Sequence, residues 1–150
     1  MATACFLGHR FVYGNIEKKL DAVIEKLINE GYDKFLMGTH GAFDALAIDA
    51  CRRARVRHPN IKIEVIITSY HTIEKDKDFG FAPYRDVETV MYEIEDLYFK
   101  KQITVSIQKM IDNSETLVCY VDEKRTTGGA IKGFKYAKKN GKEIINLYSI

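Results

Sequence analysis

Short apolar runs alternate with stretches of helical periodicity along most of this chain, and that alternation constrains the fold more than any other feature. The runs are Ala2–Leu7, Asp33–Met37, Ile61–Thr68, Glu115–Val121 and Glu143–Tyr148, with a shorter one at Thr89–Tyr92. They are mostly continuous rather than alternating with polar residues, the pattern of strands buried on both faces. Between them Ile16, Leu20, Val23, Ile24, Leu27 and Ile28 recur at three- and four-residue intervals, predicting a helix capped by Asn15 and stopped by Gly31. Phe43, Leu46, Ala47, Ala50 and Cys51 mark a second helix, which runs into Arg52, Arg53, Arg55 and Arg57 and ends near Pro59. Further helices are predicted over Ile103–Asp112, with Ile103, Ile107, Met110 and Ile111 on one face, and over Ala130–Lys139. Residues 69–85 show no clear period and read as a long loop. Strands alternating with helices in this way predict an α/β fold, an open sandwich whose mostly parallel sheet is covered on both faces.

In such a fold the loops after the strands gather along one edge of the sheet, where ligands bind. Five of the ten glycines fall there. Gly8 follows the first strand, Gly38 and Gly41 the second, and Gly128 and Gly129 the one ending at Val121. Bare backbone lets a phosphate or sugar come close, and helix N-termini at the same edge favour anions. His9, Arg10, Thr39, His40, Asp44, Thr126 and Thr127 accompany these glycines. The Arg10 guanidinium offers a planar fork to a phosphate or carboxylate. His9 could cap a loop or act as an acid/base, and Asp44 could cap the second helix or bind a ribose hydroxyl. GxGxxG, GxxxxGK[ST] and GxSxG are all absent, which excludes the common dinucleotide, P-loop and nucleophile-elbow sites. The acidic pairs Asp76/Asp78 and Glu93/Glu95 lie in charged surface stretches, and His58 and His71 read as surface residues.

Composition narrows the function classes. With 150 residues, 46% hydrophobic and 11% aromatic, residues 1–150 form one packed domain and not a disordered tail. A net charge of +2 argues against a dedicated nucleic-acid surface, and the arginine-rich helix end reads as a solvated face. Cys5, Cys51 and Cys119 form no ligand cluster, so no metal site is expected, and Cys5 and Cys119 read as buried hydrophobes. No basic leader and no apolar run of about 18 residues is present, so the expectation is a cytoplasmic protein in a reducing compartment. Tyr84, Tyr92, Tyr98 and Phe99 offer material for a dimer surface.

The order of motifs resembles the SLOG superfamily, a Rossmann-like group that includes DNA-processing protein A and the LOG nucleotide phosphoribohydrolases. The likeness is strongest to short bacterial members. It rests on CFLGHR (Cys5–Arg10), GTHGAFD (Gly38–Asp44), RHPNIKIEVI (Arg57–Ile66), MIDNSETLV (Met110–Val118) and GGAIKGFKYAKKNGKEIINL (Gly128–Leu147). The resemblance implies a Rossmann-like open three-layer sandwich and a nucleotide-related ligand at the strand ends. Its three walls would be Gly8, His9 and Arg10; then Gly38, Gly41 and Asp44; then Gly128 and Gly129, which would receive a phosphate, with Thr39, His40 and Thr127 beside them as further candidate ligand-binding residues. Two departures stand out. Similar proteins carry Arg-Asn where this chain has Ser106 and Ile107. The hydrolases carry PGGxGTxxE, but here Thr127 precedes the double glycine, Ile131 and Lys132 take the Gly and Thr positions, and Lys135 takes that of the catalytic Glu.

Three functions compete. The first is a module that senses or sequesters a nucleotide or phosphorylated small molecule, with no cofactor or metal. The second is an N-glycosidic hydrolase of nucleoside monophosphates, with Asp44 or His9 as acid/base and Arg10 as phosphate clamp. The third is single-stranded DNA binding through the arginine-rich helix.

Overall fold

The computed structural model describes residues 2–67, 84–92 and 98–149, without the side chain of Phe99. The strands are β1 (Ala2–Gly8), β2 (Tyr32–Met37), β3 (Lys62–Ile66), β4 (Glu88–Val90), β5 (Thr116–Tyr120) and β6 (Glu143–Asn146). The helices are α1 (Glu17–Asn29), α2 (Ala42–Arg57), α3 (Phe99–Asp112) and α4 (Gly129–Lys139). All six strands are parallel and form one sheet in the order β4-β3-β2-β1-β5-β6. The chain builds outward from β1 in one direction and then returns to add β5 on its other side. The switch in direction therefore falls between β1 and β5.

Two apolar layers flank the sheet. On one face Leu20, Ile24 and Leu27 of α1 and Phe43, Ala47, Ala50, Cys51 and Ala54 of α2 pack on Phe6, Phe35, Met37 and Val65. On the other, Met110 and Ile111 of α3 and Ile131, Phe134 and Ala137 of α4 pack on Cys5, Leu36, Leu117 and Cys119. This is the Rossmann-like three-layer α/β sandwich that the sequence predicts. The central strands are buried almost throughout, which explains their continuous apolar runs. Among the described residues no helix is long and apolar enough to cross a membrane.

Three expectations are corrected. Asn15 was expected at the N-cap of the first helix, but that position falls on Ile16. The Asn15 side chain still accepts a hydrogen bond from the Glu17 N–H at 3.0 Å, so it satisfies an orphan donor from one residue upstream. The arginine-rich end of α2 is not a simply solvated face. Arg52 and Arg55 both hold Asp86, Arg53 holds Asp21 and Arg57 holds Glu25, at 2.7 to 3.0 Å. His58 lies 2.8 Å from the same Glu25, so it too is part of this mesh rather than an isolated surface residue. Carboxylates from α1 and from the approach to β4 fold against the arginines and neutralise them.

Tyr84 and Tyr92 are half-buried against the two cores, and Tyr98 is exposed. The long loop read over 69–85 lies outside the described residues except for Tyr84 and Arg85, as do His71, Asp76, Asp78, Glu93 and Glu95.

Candidate functional site

At the carboxyl ends of β1, β2 and β5 lies a cleft of about 290 Å3, opening at the switch point. Gly8, His9 and Arg10 line it from β1, Gly38, His40 and Asp44 from beyond β2, and Arg125, Gly128, Gly129 and Ala130 from the β5–α4 connection. Ile103, Ile107 and Met110 of α3 form its remaining apolar wall. The volume is at the lower end of small-molecule sites, roughly 300–1,000 Å3, and suits a ligand of mononucleotide size.

The floor depends on close backbone packing. A Cβ at Gly8 would collide with the Phe43 ring, so glycine lets the start of α2 seat against the end of β1. A Cβ at Gly41 would lie 2.6 Å from the Arg10 Cα, and the Ala42 N–H donates to the Arg10 carbonyl at 2.8 Å. Gly41 therefore positions Arg10 and does not itself line the cleft. Gly128 adopts a φ of 113°, which L side chains rarely take, and leads into the N-terminus of α4. The unpaired N–H groups of that helix end provide a positive dipole at the cleft.

The histidines and Asp44 have distinct tasks. His9 Nε2 accepts from the Asp122 N–H at 2.8 Å, and the His9 N–H donates to the Tyr120 carbonyl at 3.1 Å. His9 thus staples the end of β1 to the end of β5. Burial and the neighbouring Arg125 push its pKa down, which keeps it neutral and able to accept. Asp44 Oδ2 accepts from the His40 N–H at 2.8 Å, a capping bond at the start of α2. Among the described residues its other oxygen has no hydrogen-bond partner. Burial raises the Asp44 pKa to about 6, against the smaller opposing effect of the His40 bond. His40 is held neutral by burial and by the Arg10 guanidinium. Among the described residues its Nε2 is buried without a hydrogen-bond partner, and so is Ser106 Oγ.

Of the residues expected at the site, Gly8, His9, Arg10, Gly38, His40, Asp44, Gly128 and Gly129 come together, whereas Thr39, Gly41 and Thr127 do not line the cleft. Arg125 and the α3 wall are additions. Arg125 sits three residues before the double glycine, a position where a cation is a readable sign of an anion site. Ile103, Ile107 and Met110 carried only the signal of an apolar helix face. Ile107, one of the two positions that depart from the Arg-Asn of similar proteins, faces the cleft. Lys135, at the position of the hydrolase glutamate, is exposed and does not line it. Among the described residues no group of three His, Cys, Asp or Glu side chains comes together as a metal site. Compared with known proteins, the chain matches no family model and no curated protein.

Proposed function

We propose that the cleft binds a nucleotide-related ligand of mononucleotide size, and that the protein acts as a sensor or sequestering module in a cytoplasmic setting. One observation carries this reading: a single cleft at the switch point has a cationic, backbone-rich end facing an apolar wall. The phosphate would sit at the N-terminus of α4, over Gly128 and Gly129, between Arg10 and Arg125. A planar ring would lie against Ile103, Ile107 and Met110, with the free oxygen of Asp44 available to a sugar hydroxyl. The resemblance to the SLOG superfamily supports the same ligand class.

Calorimetric titration with nucleoside monophosphates and ribose 5-phosphate tests it. Wild-type protein should bind, and Arg10→Ala or Arg125→Ala should each weaken binding by about tenfold or more. Failure of the wild type to bind any of these compounds overturns the reading.

One observation favours hydrolysis as a second reading. A carboxyl group with a pKa of about 6 in a nucleotide-sized cleft suits a general acid for an N-glycosidic bond. Chromatography for free base after incubation decides it: release that disappears in Asp44→Ala supports an enzyme, and no release from any nucleoside monophosphate refutes it. The ion pairs that neutralise the arginine-rich end of α2 leave DNA binding without a basic surface there.

A further inference from the structure

The bond that His9 makes to the backbone fixes its proton as well as its position. A backbone N–H can only donate, so the 2.8 Å bond from the Asp122 N–H occupies the lone pair of His9 Nε2. A proton on Nε2 would point straight at the Asp122 hydrogen. Burial and the Arg125 guanidinium keep the ring neutral, against the weaker opposing pull of the Asp122 carboxylate. A neutral imidazole carries its one proton on the nitrogen whose lone pair is not in use. His9 Nδ1 is therefore an N–H donor.

That donor opens on the cleft. Among the described residues the fold bonds the imidazole only through Nε2. The buried side-chain polar atoms left without a partner there are His40 Nε2 and Ser106 Oγ, and His9 Nδ1 is not one of them. His9 keeps 6% of its surface exposed, and the space it lines is the cleft. Arg125, whose charge acts on this ring, lines the same cleft at its anion end. The ring is also held in place. The Asp122 bond fixes one edge, and Tyr120 stands edge-on to the ring at 6.3 Å between centres, itself stacked on Phe43 at 6.2 Å. A donor locked in this way needs no reorganisation when an acceptor arrives. Joining β1 to β5 requires only an acceptor, which a glutamate would also supply, but a carboxylate at this place would repel an anion. Imidazole supplies the acceptor without charge and adds a donor.

We infer that His9 has two separate duties, its Nε2 joining β1 to β5 while its Nδ1–H donates to a phosphate oxygen of the ligand beside Arg125 and the N-terminus of α4. This rests on the nucleotide reading above. The same arrangement bars His9 from general acid–base work, since Nδ1 already carries a proton and Nε2 cannot take one without breaking the Asp122 bond.

Two variants separate the duties. In His9→Gln the side-chain carbonyl takes the place of Nε2 and still accepts from the Asp122 N–H, but nothing replaces Nδ1–H. In His9→Asn the amide N–H takes the place of Nδ1, and the acceptor is lost. Calorimetry with ribose 5-phosphate and the nucleoside monophosphates, beside urea denaturation, reads both. The glutamine variant should be about as stable as the wild type and bind these ligands about tenfold or more weakly. The asparagine variant should be less stable than the glutamine variant yet bind more tightly than it does. Nitrogen-15 NMR of the wild-type ring, assigned by its loss in His9→Gln, should place the proton on Nδ1 at pH 7. Equal affinity of wild type and His9→Gln overturns the donor while leaving nucleotide binding intact. So does an asparagine variant that binds no better than the glutamine one, or a ring that carries a proton on Nε2 at pH 7. A wild type that binds none of these ligands overturns both readings together.

Discussion

Replacing Asp44 by Asn should make the protein more stable at neutral pH. The carboxyl group is almost wholly buried and holds one backbone hydrogen bond, from the His40 N–H. Burial raises its pKa from 3.8 to about 6, so the folded state keeps this proton to a higher pH than the unfolded state does. Stability contributed by the group therefore falls as pH climbs from about 4 to about 6 and stays low above that. The shift corresponds to a penalty of about 3 kcal/mol at pH 7.5, shrinking to about 0.5 kcal/mol at pH 4. An asparagine oxygen can still accept the His40 bond while its amide faces the cleft, and it has no charge to desolvate. Urea denaturation at both pH values measures the difference. At pH 7.5 the variant midpoint should rise by about 1 M or more, and at pH 4 the two proteins should nearly coincide. A variant no more stable than wild type at pH 7.5, or a gain equal at both pH values, refutes the electrostatic argument.

Three further outcomes are expected. His9→Ala leaves the Asp122 N–H without its acceptor at the β1–β5 seam and should cost about 1–3 kcal/mol in urea denaturation; a loss within error of zero would show that water replaces the imidazole. Gly133→Ala places a methyl group against Leu7 and Ile107 and should destabilise by about 1–3 kcal/mol, read as a lower melting temperature, whereas an unchanged melt would show that the α4 packing yields. Cys5, Cys51 and Cys119 are buried, with burial pushing each thiol well above its usual range. None should react with iodoacetamide at pH 8 by mass spectrometry until denaturant is added, and labelling of the native protein would contradict the packing.

Much of this architecture is legible in the sequence because a parallel sheet leaves a strong mark. The continuous apolar runs locate β1, β2, β3, β5 and β6 to within a residue or two at most ends, and the glycines after β1, β2 and β5 locate the edge where the cleft opens. What is not legible depends on pairs far apart in the chain. Nothing in the sequence says that Asp86 will meet Arg52 and Arg55, so the arginine run reads as a solvated face until the ion pairs are seen. Nor does it reveal that His9 will meet the Asp122 backbone. The apolar face of α3 was visible, but periodicity cannot separate Ile111, which serves the core, from Ile103 and Ile107, which line the cleft, or from Met110, which does both. Gly41 was legible as a special position, though its reason, the approach of Arg10, needed the fold.

The seam between β1 and β5 has a consequence for how the protein folds. β1 pairs with β2 across one helical crossover, but it meets β5 only after more than a hundred residues of chain, as in the Thr3 N–H to Glu115 bond with a separation of 112 residues. Contacts of such long range form slowly, because loop closure must be paid before they contribute. The first three strands with α1 and α2 make the shorter-range contacts, and the second half closes the sheet along the other edge of β1. The cleft straddles that seam, so it does not exist in any partly folded form that lacks the docked half. Its appearance reports that the β1–β5 pairing has formed.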